Sequence, residues 1–414
     1  MRIRGPILAA VAVTCAVLAV PAQAGANSAV GPDGAAFYDP PASVVPSAHG
    51  SLIWSTPLAG APGLAGATNT KVLYRSVDLQ GNAVAVSGVV SVPVGTPPPG
   101  GWPVISWAHG TTGTADVCAP SLDSDASYLS HPYTSLTDQT LAQWVSAGYA
   151  VLKTDYQGLG TAGEHGYLIG VTEARAVADI VTAARELDPA VGTRWVAAGH
   201  SQGGHAAAWS DAQAQAWAPQ STLLGAVALA PASHIGTLYD VTASPLGSLL
   251  TGSAGTGGAG TGSAGAADAP SPFTPLILTG AATAGDIHLP GILTPAAANL
   301  MPLAQTDCID QLRQSDWGRL PFSKTFAAGA DLSALRSILD ANDPSSLKFS
   351  TPLFVAQGKA DTTVPPTATD AMVSQLQLAG QPVTYKTYPD VDHRSLIAAS
   401  YTDALAWVNA RFER

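Results

Sequence analysis

Residues 198–207 read AGHSQGGHAA, and the centre of this stretch sets Ser201 between Gly199 and Gly203 in the pattern G-x-S-x-G. A serine so placed can attack a carbonyl carbon, but a lone hydroxyl is a poor nucleophile near neutral pH and needs a base. Glycine makes up 42 of 414 residues. About 0.3 chance matches are then expected, so the pattern alone carries little. The base and its acid should follow in the order Ser, Asp, His. Asp361 stands in the turn of FVAQGKADTTVP and His393 in YPDVDHRS. His393 would take the hydroxyl proton and Asp361 would orient the imidazole. Asp390 and Asp392 flank His393, but acids so close in sequence do not easily reach its Nδ1. His200 should project away from Ser201 as a packing or hydrogen-bonding residue, and His205 reads as structural. A tetrahedral intermediate also needs amide donors. Gln202 offers one at a helix N-terminus, where free N–H groups favour negative charge. Thr111, with Thr112 as the second choice, offers another after VISWAHG. His109 would brace that loop.

The flanking residues must place these groups at one edge of a sheet. RWVAAGHS (194–201) reads as a buried strand and QGGHAAAWSDAQAQAW (202–217) as a helix. Before them come strand-like runs at 71–78 and 83–93 joined by a QGN turn, then PVISWAHG (103–110). A helix over 135–148, a strand and turn over 149–160 and a helix over 171–189 follow, and LLGAVALAPA (223–232) is a further strand. Alternating apolar strands and amphipathic helices predict an α/β fold with a mainly parallel sheet covered on both faces. The pattern breaks near 233 and resumes at TPLFVAQGKAD (351–361), with a helix, the strand PVTYKTYPD and one final helix over 395–412. The interval is too long for an ordinary crossover. It reads as an inserted cap, 234–345, carrying a Gly/Ala/Ser linker at 251–267. The core then comprises 71–233 and 346–414, preceded by an irregular arm over 25–70.

The first 24 residues read as a secretory leader: Arg2 and Arg4, the apolar run ILAAVAVTCAVLAV, and AQA ending at Ala24. The apolar run falls short of the about 20 residues that span a bilayer, and no later stretch suits a transmembrane anchor. Without Arg2 and Arg4, 16 Lys and Arg face 29 Asp and Glu, a net of −13. That balance argues against nucleic acid or anionic membranes as partners. Cys15 leaves with the leader, so Cys118 and Cys308 remain, in an exported protein most simply one disulfide. No Cys/His cluster has zinc spacing.

FYDPP, LYRSVD, VSGVVSVP, SWAHGTTGTADVCAPS, TDYQGLGT, GHSQGGHAA and GKADTTVPP together resemble the secretory lipase family, the fungal lipase-A-type α/β-hydrolases and their bacterial relatives. The resemblance runs from about residue 37 to the end and is weakest over 240–345. It implies an α/β-hydrolase fold with a mainly helical cap, and a secreted carboxylic ester hydrolase acting on acylglycerols or simple acyl esters. The family's triad falls on Ser201, Asp361 and His393. Its cysteine in the Cys-Ala-Pro-Ser segment falls on Cys118, whose partner in the cap would be Cys308. The chain departs from the family at GEHGYLIG, where relatives tend to carry a proline after the histidine, and in the Gly/Ala/Ser run. The chemistry needs no metal or organic cofactor. Other readings are a polyester or thioester hydrolase with the same residues, a non-catalytic binding protein on this fold, and a peptidase. For the last, the sequence shows neither propeller-like repeats nor a charged specificity pocket.

Overall fold

The structure, a computed structural model, describes residues 29–237 and 270–413. The leader with Cys15 and the Gly/Ala/Ser run at 251–267 lie outside the described residues. Nine strands form one sheet: β1 (Leu52–Leu58), β2 (Ala67–Val77), β3 (Ala83–Pro93), β4 (Trp102–Ala108), β5 (Ala150–Thr154), β6 (Val191–His200), β7 (Thr222–Leu229), β8 (Leu353–Gly358) and β9 (Val383–Tyr388). Their order is β1-β2-β3-β5-β4-β6-β7-β8-β9. The first three pair antiparallel, β3 meets β5 antiparallel, and every pairing from β5 through β9 is parallel.

Strands buried on both faces read as continuous apolar runs, and successive residues serve opposite cores. On β6, Trp195 and Ala197 face one core, which is closed by Val177, Ile180 and Val181 of α2 (Gly170–Leu187) and by Ala206 and Ala207 of α3 (Gln202–Trp217). Val196 and Ala198 face the other, closed by Leu141 and Trp144 of α1 (His131–Ser146) and by Trp407 and Val408 near the C-terminus. The sheet therefore holds the ends of β6, β8 and β9 in one rigid layer.

Three expectations need correction. The arm over 25–70 is not wholly irregular, because Leu52–Leu58 adds a strand at the sheet edge. Pro57 can sit there because an edge strand leaves one row of amides unpaired, and Trp54 is buried with Phe37 and Leu73. The last helix is two, Leu396–Ala399 and Tyr401–Phe412, with the Ser400 hydroxyl turned back onto the Leu396 carbonyl at 2.7 Å. The strand expected to reach 232 stops at Leu229, since Ala230 takes φ 44° and Pro231 follows.

Between β7 and β8 the described residues form short helices: α4 (Thr274–Ala284), α5 (Leu289–Ile292), α6 (Pro295–Leu300), α7 (Ile309–Gln314) and α8 (Ser333–Ala341). They share a separate apolar cluster that includes Leu276, Leu312 and Trp317 and takes in Tyr167, Leu168 and Ala232 from the sheet layer.

Candidate active site

Ser201 sits between the end of β6 and the start of α3 at φ 60°, ψ −117°. This left-handed backbone is costly for a residue with a side chain and persists only where its surroundings enforce it. The enforcement is close backbone packing. A Cβ on Gly203 would lie 1.8 Å from the Ala108 carbonyl oxygen, and one on Gly199 would lie 2.1 Å from the Gly203 carbonyl oxygen. The two glycines of the motif thus let β4, β6 and α3 converge beneath Ser201.

The loops after β8 and β9 are joined to each other. Ala360 N–H donates to the Val391 carbonyl at 3.1 Å, and Lys359 N–H to the Tyr388 carbonyl at 2.9 Å. This brings His393 Nδ1 to 2.7 Å from Asp361 Oδ2. A carboxylate can only accept here, so Nδ1 carries the proton and Nε2 is left with its lone pair. Asp361 is buried, and its other oxygen accepts from the Thr363 and Val364 amides at 2.8 and 2.9 Å. Gln357 Nε2 adds a bond of 3.1 Å to Oδ2. Asp392 is engaged elsewhere: Ser395 N–H and Oγ–H donate to it at 2.8 and 2.7 Å, which holds its carboxyl below the usual range. Ser201 and His393 line one small pocket with Gly110, Thr111, Tyr133 and Arg394. Its volume of about 20 Å³ is room for one water molecule. A larger cavity of about 480 Å³, lined by Thr279, Leu289 and Met301 among others, contains none of these groups.

Gln202 opens α3, so its amide has no partner within the helix. Thr111 lines the pocket. Thr112 is not among the lining residues, and its carbonyl accepts from the Ile309 amide at 2.8 Å. His109 braces the loop: its Nδ1–H donates to the Gly110 carbonyl at 2.7 Å, and burial pushes the imidazole down, towards neutrality. His200, expected to project away from Ser201, lines the same pocket with its ring centre 4.4 Å from that of His393, and it serves there as a hydrogen-bonding residue. Its Nε2–H donates to the His393 carbonyl at 2.8 Å, and its Nδ1 faces the Tyr133 hydroxyl at 3.2 Å. That hydroxyl accepts from the Gly110 amide at 2.6 Å. Burial first, then the charge of His393, pushes His200 well below the usual histidine range, which keeps it neutral in this role.

The sequence reading missed the layer beneath. Glu173 on α2 is fully enclosed and accepts from Gln202 Nε2 at 2.9 Å, from the Leu168 amide at 3.1 Å and from His205 Nδ1 at 2.8 Å. The second nitrogen of His205 faces the Asn342 carbonyl at 2.8 Å, so satisfying both requires the imidazolium. Burial opposes that charge, but the charge and hydrogen bond of Glu173 together raise His205 above its ordinary value. Gln202 Nε2 also donates to His165 Nε2 at 2.9 Å. Burial lowers His165 to about 4, consistent with a neutral acceptor. One signal could have found the pair: Glu173 falls in helical register with Val177, Ile180 and Ala184, on a face that should be apolar.

Cys118 and Cys308 are bonded, with their Cα atoms 5.5 Å apart. Gly113 pairs with Cys308 in an isolated antiparallel bridge, and Thr114 Oγ1–H donates to the Ala304 carbonyl at 2.7 Å. The loop holding Thr111 is therefore fastened to the segment that enters α7. Among the described residues no group of His, Cys, Asp and Glu suits a metal ion, and no helix is long and apolar enough to cross a membrane.

The chain matches the family model described as secretory lipase over residues 125–256, and the prolyl oligopeptidase family model over 303–414. It is 29% identical over 255 residues to lipase A of Moesziomyces aphidis, across 58% of this chain and 51% of that protein. The match thus spans about half the length of that relative. Candida antarctica lipase A in its closed state superposes with a TM-score of 0.70 at 19% identity, covering 91% of this chain and 85% of that one. The rice cell wall degrading esterase LipA from Xanthomonas oryzae gives 0.63 at 19% identity, over 86% of this chain and 95% of that one. The fold is that of the lipase and esterase α/β-hydrolases, as the sequence implied.

Proposed function

We propose that this chain, a relative of the secretory lipases on an α/β-hydrolase fold, is an exported serine hydrolase of carboxylic esters, acting on acylglycerols or simple acyl esters. The observation that carries the reading is the bond of 2.7 Å between His393 Nδ1 and Asp361, with His393 and Ser201 on one pocket wall. In this reading His393 Nε2 removes the Ser201 proton as Oγ attacks the ester carbonyl. The Gln202 and Thr111 amides hold the oxyanion, and Asp361 stabilises the imidazolium. His393 then passes the proton to the leaving alcohol. Water, deprotonated by the same imidazole, releases the acid and restores Ser201. The leader-like first 24 residues and the disulfide support export. The prolyl oligopeptidase match covers the part that carries Asp361 and His393, so it fits shared machinery without favouring peptides over esters.

The test is hydrolysis of 4-nitrophenyl esters of rising chain length, with emulsified triacylglycerol alongside, by the chain and by Ser201→Ala. Loss of a triad member typically removes about 10⁴-fold or more in rate, so the variant should fall to background. A serine-directed phosphonate should label Ser201 alone. Labelling elsewhere, or turnover surviving in Ser201→Ala, would refute the assignment.

A further inference from the structure

Two guanidinium groups stand on the pocket wall, and the ester chemistry does not use them. Arg313, at the end of α7, and Arg394, next to His393, line the same space as Ser201. One carboxylate serves both. Asp310 Oδ1 lies 3.0 Å from Arg394 Nη2 and 3.8 Å from Arg313 Nε. Among the described residues no other carboxylate comes within 4.0 Å of either side chain. Asp361 pairs with neither guanidinium, since it is buried and its oxygens are taken by His393, Gln357 and the Thr363 and Val364 amides. Among the described residues, two guanidinium groups beside the candidate nucleophile therefore share one directly paired carboxylate.

The two groups are held in place. The Arg394 guanidinium lies 5.7 Å from the Tyr133 ring centre, and that of Arg313 lies 5.1 Å from the Phe273 ring centre. Asp310 follows Cys308 by two residues, so the disulfide fixes its helix to the loop of Thr111. Both arginines line the pocket and keep about two fifths of their side chains exposed. Burial first, then an opposing contribution from Asp310, and finally the charge of Arg394 act on Arg313, with a net lowering that still leaves a guanidinium charged at neutral pH. A neutral acylglycerol gains nothing from such a charge. A carboxylate does, because the planar fork of arginine matches its two oxygens.

We propose that the site prefers esters whose acyl or alcohol part carries a carboxylate, with Arg313 and Arg394 as the specificity-determining residues that hold it. This rests on the ester-hydrolase reading above.

The experiment compares kcat/KM for two matched pairs: ethyl hydrogen adipate against ethyl hexanoate, and 6-(butyryloxy)hexanoate against hexyl butyrate. The first pair puts the charge on the acyl side, the second on the alcohol side. At low salt the anionic ester should lead its partner in at least one pair by about fivefold, the scale of a partly exposed charge pair. The lead should shrink in about 0.5 M sodium chloride. It should disappear in Arg313→Met and reverse in Arg313→Glu. Neutral esters preferred or equal in both pairs would overturn the inference, as would a ratio that the variants leave unchanged. Should the variants fail to fold, the wild-type ratio decides: insensitivity to salt overturns the proposal. Hydrolysis of neutral esters without any charge preference would sink this inference and leave the hydrolase reading standing. Inactivity on all four esters would remove both.

Discussion

Replacing both bonded cysteines, Cys118→Ala with Cys308→Ala, should loosen the attachment of the helical segment between β7 and β8 while leaving the Asp361–His393 bond intact. The bond closes a loop of 190 residues. Chain-entropy arithmetic for a loop that long gives about 5 kcal/mol of stabilisation, and real bonds often deliver less. The remaining ties soften the loss, since Ile309 N–H still reaches the Thr112 carbonyl at 2.8 Å and Thr114 still reaches Ala304 at 2.7 Å. We therefore expect a loss of about 3–5 kcal/mol, or about 4–6 °C in melting temperature for a chain of this size. The kinetic effect should be local. Thr111 lies two residues from Gly113, which pairs with Cys308, so kcat should fall through a misplaced amide while KM for short esters changes little. Scanning calorimetry and steady-state kinetics on wild type and the double variant measure both. Mass spectrometry of a non-reduced digest first shows that the wild-type bond is formed. An unchanged melting temperature with the bond verified would refute the reasoning, and two free thiols in exported protein would remove its premise.

Gly203→Ala would place a methyl carbon 1.8 Å from the Ala108 carbonyl oxygen. It should cost about 3 kcal/mol and abolish turnover; full activity on 4-nitrophenyl butyrate would contradict the close packing of β4, β6 and α3 beneath Ser201. Glu173→Gln removes the charge that holds His205 protonated and should destabilise by about 3 kcal/mol. The pair also gives a pH dependence with a definite sign. His205 is raised on folding, so its contribution is fully present below the unfolded value of about 6.5 and is lost as pH rises through the folded one. Urea unfolding at pH 6 and pH 9 should show this decline in wild type and less of it in Glu173→Gln; equal slopes would refute the ion pair.

What could be read from the sequence follows from how local its physics is. The strand into Ser201 and the helix out of it were legible because apolar runs and small residues at 199 and 203 depend only on neighbours in sequence. Asp361 and His393 were legible because each follows a strand, and parallel strands bring their ends to one edge. The edge strand at 52–58 was not, because Pro57 argues against a strand until the edge position is known. Glu173 was passed over for a related reason: a carboxylate on an apolar helix face makes sense only when His205 and Gln202, far along the chain, are seen to meet it. Arg313 stayed silent because it lies 81 residues before Arg394 in a segment without periodic pattern, and the shared carboxylate of Asp310 exists only in three dimensions.

The chain of bonds from the Gly110 amide through Tyr133 and His200 to the His393 carbonyl bears on how this site can be inherited. Each link dictates which atom of the next carries its proton. An altered Tyr133 strands an amide and leaves His200 free to change tautomer, and an altered His200 frees the loop of the base. Neighbours linked in this way lose less when they change together than the sum of their separate losses. Paired changes at 133 and 200 should therefore cost less than either change alone, and an engineer changing one without the other starts downhill. The immediate neighbour of Ser201 is for that reason a less free position than its place beside, and not at, the candidate nucleophile would indicate.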